Sequence, residues 1–199
     1  GRPQPSPQPG GPPAPGRPAP GDTSPHAHTR PAPAGPGFTE ADVAFMRDMI
    51  GHHEQAIVMA RMAATHGAGP EVRRLAEKID ISQRDEIAMM ERWLRDRDQP
   101  VPDAAHRHAA RMPGMLTPEQ LAQLDAARGP EFDRLFLTYM IQHHRGALAM
   151  VDELLRADGA AQDPVVFKLA SDIHVDQTTE IARMEQMLAA LPASGQAPR

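Results

Sequence analysis

Internal repetition constrains this chain of 199 residues more than any other feature. Asp48 to Met59 reads DMIGHHEQAIVM, and Tyr139 to Met150 reads YMIQHHRGALAM. Each copy carries Met-Ile-x-His-His with a second Met seven places after the first His. A shift of 91 places puts Phe45 on Phe136, Met49 on Met140, His52 on His143, His53 on His144, Ala56 on Ala147 and Met59 on Met150. A shift of 94 aligns the segments that follow: Val72 with Val166, Leu75 with Leu169, Ile79 with Ile173, Gln83 with Gln177, Glu86 with Glu180 and Met90 with Met184. One supersecondary unit is used twice.

The period of that unit is helical. Val43, Met46, Met49/Ile50, His53, Ala56/Ile57 and Ala60 recur at three- and four-residue spacing. Thr39 is an N-cap with Asp42 at the capping-box position, and Gly67 and Gly69 stop the helix. A second helix starts near Pro70 and runs to about Arg97, with the stripe Val72, Leu75/Ala76, Ile79, Gln83, Glu86/Ile87, Met90 and Trp93/Leu94. Pro100 and Pro102 end it, and 99–116 reads as loop. Thr117-Pro118-Glu119-Gln120 is a capping box with Pro at the first helical position, so a short helix is predicted to about Ala127. Gly129-Pro130 breaks it. A third long helix is predicted over 131–158, closed by Gly159, and Asp163-Pro164 opens a fourth that runs to about Leu191.

The prediction is an all-α fold, a four-helix bundle made of a duplicated helical hairpin over residues 38–192. The repeats span about 39–98 and 130–191, joined by a linker with a short helix. That linker is long enough for a crossover along the bundle, and simple up-down wiring stays equally open.

Residues 1–37 are a Pro/Gly-rich block with almost nothing apolar to bury, predicted to be a disordered tether; His26 and His28 within it make at most a weak metal site. Residues 193–199 read as a flexible C-terminus. There is no Cys, which excludes disulfides, thiolate metal sites and Cys nucleophiles. A net charge of -5 gives no reason to expect nucleic acid. No apolar run can cross a membrane. Pro-rich tethers often follow a signal or lipid anchor, which favours an extracytoplasmic, secreted, periplasmic or surface-tethered location.

The chain holds 12 Met and 10 His, and every Met lies between Met46 and Met187. On a helix Met49, His52, His53 and Ala56 share one broad face, and Met59 lies seven places beyond His52 at the edge of the stripe. Counting residues from the turn puts Glu86 beside Met49 and His52, and Glu180 near Met140 and His143, with Gln83 and Gln177 one turn away. A Met stripe is usually core filling, and a buried His beside a Glu can be a plain hydrogen-bonded pair. Packing alone, however, would not require this constellation at one level twice. Thioether plus imidazole without thiolate suits copper, above all Cu(I), and imidazole with carboxylate also takes Cu(II), Zn(II) or another transition metal. His106, His108, Met112 and Met115 in the loop are a candidate for a second, exposed site. Di-iron chemistry of the ferritin type needs Glu-x-x-His, which occurs nowhere, and Met89 stands where the His after Glu86 would be. Covalent haem attachment is excluded by the absence of Cys, and no catalytic constellation is recognisable.

FMRDMIGHHEQAIVMARM, QRDEIAMMERWL, MPGMLTPEQLAQL, FDRLFLTYMIQHHRGALAMV and QTTEIARMEQML, in that order, resemble the bacterial domain of unknown function numbered three-zero-five. The resemblance covers nearly all of 38–191. It implies a ferritin-like bundle and an exported protein. Its CopM-like relatives imply copper binding in the periplasm, with Met49, His52, His53, Met59, Met140, His143, His144 and Met150 as candidate ligands. Glu86 and Glu180 would orient the imidazoles or ligate directly. Tyr139, which falls opposite Asp48 in the other copy, departs from the repeat. The expectation is a non-enzymatic, exported copper-binding protein that also accepts Ag(I). The alternatives are an interaction module whose His-Glu layer only specifies packing, and a haem- or di-metal-dependent redox protein.

Overall fold

The computed structural model describes residues 37–103 and 112–192, together with Gly1 and Gln4. The predicted tether apart from Gly1, Gln4 and Gly37, with His26 and His28 in it, and also His106, His108 and the C-terminal 193–199 therefore lie outside the described residues. Five helices form the fold: α1 Glu40–Met62, α2 Pro70–Arg95, α3 Pro118–Ala126, α4 Gly129–Arg156 and α5 Pro164–Ala190. No strand occurs among the described residues. Each boundary follows from local chemistry. Thr39 Oγ1 accepts from the Asp42 amide at 3.2 Å, while Asp42 Oδ2 accepts from the Thr39 amide at 2.8 Å. Thr117 and Gln120 repeat that box at α3. Asp163 caps α5 by accepting from the amides of Val165 and Val166.

The four long helices pack as two hairpins, α1 on α2 and α4 on α5, and the hairpins meet along α1 and α4. Contacts at the two ends settle the wiring. At one end the Gly129 amide donates to the His66 carbonyl at 2.9 Å, and the Gly69 amide donates to the Asp133 carboxylate at 3.1 Å. At the other, Asp42 Oδ1 accepts from the Ala161 amide at 2.7 Å, and Arg97 donates to Asp163 at 2.5 Å. So α1 runs against α4, and α2 runs parallel to it. Parallel α2 and α4 require a connection that returns along the bundle, which is the ferritin-like crossover.

The crossover passes mid-bundle at Met112–Leu116, over the α1–α4 seam. Gln55 of α1 pins it, accepting from the Leu116 amide at 2.7 Å and donating to the Leu116 carbonyl at 3.2 Å. Gly114 has φ +74°, and a Cβ at Gly146 of α4 would stand 1.9 Å from the Pro113 carbonyl oxygen. Backbone lies on backbone here, which only glycine at both places permits. Farther on, α3 docks at the bundle end, where His66 Nε2 donates to Asp125 at 2.9 Å and Leu124 is buried.

Two apolar cores result, one on each side of mid-bundle. The first gathers Met59, Leu75, Ile79, Phe132, Phe136 and Met140. The second gathers Met46, Met49, Trp93, Leu94, Met150 and Leu169. Each such side chain stabilises the fold by about 1.5–3 kcal/mol through burial. Between the cores lies a polar layer.

Candidate metal centre

That layer consists of the two His pairs and their partners. His52, His53, His143 and His144 are all fully buried. His53 Nε2 donates to Glu86 Oε2 at 2.5 Å, and His144 Nε2 donates to Glu180 Oε2 at 2.8 Å. His52 Nε2 donates to the Pro113 carbonyl of the crossover at 2.9 Å. A carbonyl or carboxylate oxygen only accepts, so Nε2 carries the proton in all three. In the neutral ring that leaves the Nδ1 lone pair as the open donor. None of the four Nδ1 atoms has a hydrogen-bond partner among the described residues, and neither has Nε2 of His143.

The hydrogen bonds sharpen the expectation from residue counting: at the level of each His pair, Glu86 bonds His53 and Glu180 bonds His144. A helical side chain leans toward its own N-terminus. In an antiparallel hairpin the His and the Glu therefore lean toward each other and close the one-turn difference in height. The two carboxylates are not alike: the Glu86 side chain is 14% exposed and that of Glu180 only 6%, with Lys78 Nζ 3.3 Å from its other oxygen.

Burial sets the protonation of the central pair. Loss of solvent, then the neighbouring His53, pushes the imidazole of His52 down to about 3, against the Pro113 hydrogen bond that favours its charged form. Burial, then His52, His144 and His53, hold His143 well below its ordinary range. The His52 backbone carbonyl is the last and smallest influence on His143 and lies outside hydrogen-bond geometry. Glu180 is pushed up by burial, but the His144 hydrogen bond and charge and the Lys78 ammonium outweigh this and lower it overall.

The structure brings His52 and His143 together across the repeats, with ring centroids 3.8 Å apart and planes tilted by 36°. It divides the Met: Met49 and Met150 lie in one core, Met59 and Met140 in the other. No three His, Asp or Glu side chains among the described residues form a ready-made cation site. Gln83 and Gln177 are buried at this level, each with a side-chain oxygen lacking a partner. Of the loop candidates, Met112 packs against the second core and Met115 is half-buried. The Pro113 carbonyl, Gln55 and Gly146 escaped the sequence reading. One signal does point to them: GHHEQ in the first copy is QHHRG in the second, with Gln and Gly exchanged.

The family model described as Domain of unknown function (DUF305) matches residues 42–188. The chain belongs to the DUF305 family. Among solved members, a DUF305 protein from Streptomyces coelicolor described as secreted is 30% identical, with 79% of this chain and 98% of that one covered and a TM-score of 0.69. A DUF305 fragment from Deinococcus radiodurans is 36% identical over 78% of this chain and 100% of its own, also at 0.69. CopM in its Cu(I)-bound form is 33% identical over 74% and 95%, at 0.60. CopM is also solved in Cu(II)-bound, Ag-bound and apo forms. No curated protein matches. Within the DUF305 frame, the crossover that lies over the His layer is part of the matched region.

Proposed function

We propose that this chain is an exported, non-enzymatic protein that binds and sequesters copper, taking Cu(I) first and also Cu(II) or Ag(I). The observation that carries this is the set of five buried imidazole nitrogens without a hydrogen-bond partner among the described residues. Burying polar atoms unpaired is costly, and an uncharged imidazole lone pair in a dry layer is a ligand in waiting. Fully buried Met on both sides supply soft thioether sulfur, and no thiolate competes. The donor set therefore fits copper. His52, His53, His143 and His144 would hold the metal, and Met49, Met59, Met140 and Met150 would supply soft donors. Glu86 and Glu180 would orient His53 and His144, as outer carboxylates commonly do. Similarity to CopM, solved with copper and silver, supports the choice of metal. Similarity to a secreted relative supports an extracytoplasmic location, and no helix among the described residues is long and apolar enough to cross a membrane.

The test is an anaerobic Cu(I) titration of the wild type and of a variant with all four His changed to Ala. Tight binding is expected in the first and its loss in the second; equal affinity and stoichiometry would sink the assignment. The three imidazole hydrogen bonds favour a second reading, in which the layer only specifies packing. That reading predicts a melting temperature indifferent to copper, whereas a ligand of the folded state must raise it.

A further inference from the structure

We propose that this chain carries a separate binding site, away from the His layer, for a small monocarboxylate with an apolar body. The site is an open cleft of about 590 Å³ at the end of the bundle where α1 begins and α2 finishes. That size suits a small organic ligand. Glu40, Val43, Ala44 and Arg47 of α1 line it at helical spacing, with Phe38 before the helix and Gln99 after α2. Its cation is uncommitted. Arg47 Nε is buried and has no hydrogen-bond partner, and Arg47 joins no ion pair, among the described residues. A guanidinium donor shut from water without an acceptor is costly, so an acceptor from outside the chain gains there. Arg97, close by, is the contrast: it lies 4.4 Å over the Trp93 ring and donates to Asp163 at 2.5 Å, so it serves the fold.

The second repeat uses the same helix face for packing alone. A shift of 91 places puts Val43 on Arg134 and Arg47 on Thr138. Arg134 donates to the Pro192 carbonyl, and Thr138 donates to the Arg134 carbonyl. Duplication therefore does not account for an unpaired cation at Arg47. The lining selects the ligand. Nε and one Nη form an edge that takes both oxygens of a carboxylate. Phe38, Val43 and Ala44 offer apolar surface to the rest of the molecule. Glu40 stands seven residues from Arg47, about 10 Å along the helix axis, and its charge disfavours a dianion such as phosphate. The helix end is not the anchor, because Thr39 already accepts from the Asp42 amide. The wall is also set in advance: Phe38 packs edge-on against Trp93 with centroids 5.4 Å apart, and Gln99 donates to the Arg97 carbonyl at 3.1 Å.

The test titrates the metal-free full chain with benzoate, benzamide and inorganic phosphate. The readout is 15N NMR of the Arg47 Nε–H and of the Val43 and Ala44 amides. Benzoate is expected to shift all three and to saturate. Benzamide, which lacks the charge, and phosphate are expected to bind at least about tenfold more weakly. Arg47→Gln should lose benzoate binding, and Arg47→Lys, which keeps the charge without the fork, should retain only part of it. Ala44→Leu fills the cleft, leaves Arg47 in place and should weaken binding as well. The absence of a saturable shift with benzoate overturns the proposal. So does equal affinity for benzamide or phosphate, or unchanged affinity in Arg47→Gln. Helicity and melting check that each variant folds. Should Arg47→Gln fail to fold, the wild-type contrast between benzoate and benzamide still decides.

Discussion

The two repeats share a motif and differ in what covers it. In the first, His52 donates to the Pro113 carbonyl, and Gln55 holds Leu116 by both its amide atoms. In the second, His143 has no hydrogen-bond partner on either nitrogen among the described residues, and the position equivalent to Gln55 is Gly146, over which Pro113 passes. One crossover cannot lie symmetrically on a two-fold pair. It holds α1 through His52 and Gln55, and it meets α4 as bare backbone at Gly146 with Gln142 donating to the Gly114 carbonyl at 3.4 Å. Duplication supplied two equal His pairs, and the connection between the copies made them unequal. The outer helices add a second asymmetry, since Glu180 is the more buried carboxylate and has Lys78 beside it, whereas Glu86 is wetter.

The largest effect should come from acidifying the metal-free protein. His52 and His143 have folded-state values below the ordinary 6.5. Below pH 6.5 the unfolded chain takes up protons on these residues and the folded chain does not, so stability falls as pH falls. The contribution is fully present above 6.5 and is lost progressively toward the folded-state value, about 3 for His52. The slope is about 1.4 kcal/mol per pH unit for such a His, so His52 alone costs about 3 kcal/mol between pH 6.5 and about 4.5, and His143 adds in the same direction. Urea unfolding at several pH values measures this, and His143→Leu should roughly halve the slope. An unchanged slope would mean that His143 is protonated in the folded protein.

Next in size is the contrast between the two carboxylates. Glu180→Ala leaves a buried His144 donor unpaired and should cost about 3 kcal/mol. Glu86→Ala should cost about 1 kcal/mol, because water can replace the more exposed partner of His53. Equal losses in denaturant unfolding would erase the second asymmetry. Gly146→Ala follows, at about 2 kcal/mol: a Cβ at 1.9 Å from the Pro113 oxygen must displace the crossover, which outweighs the gain in helix propensity. A variant as stable as wild type would mean that the crossover yields freely.

The fold was legible because each element carried its own punctuation. Thr39, Gly67, Thr117, Gly129, Gly159 and Asp163 bound helices that differ from their predicted ends by only a few residues. The His, Met and Glu of the site were visible from repetition. What could not be read was anything set by the crossover. Its direction depends on contacts between distant segments, such as Asp42 with Ala161 and Gly69 with Asp133. The partner of His52 is a backbone carbonyl, which any residue possesses and no sequence pattern marks. The His53–Glu86 hydrogen bond was missed because residue counting follows Cα positions, while chemistry happens at the tips of leaning side chains. Tyr139 looked like a flaw in the repeat. It donates to Gln123 and docks α3, an element only one copy has to accommodate.

The smallest effect is also the most local. Gln55→Ala removes both hydrogen bonds to Leu116 and should cost about 1 kcal/mol, since both bonds are only part-buried. Global stability is then a poor reporter, and hydrogen exchange is the sharper one. The Leu116 amide should exchange faster by roughly tenfold or less, while amides of the buried helix positions around Ile79 and Ile173 keep their rates. The His52–Pro113 bond belongs to the same crossover segment, so the His52 Nε2 proton should exchange faster in step with Leu116. If the Leu116 amide quickened while that proton did not, the crossover would be fastened to α1 at two independent points. The first repeat would then be covered more firmly than a single grip implies, and the contrast with His143 would widen.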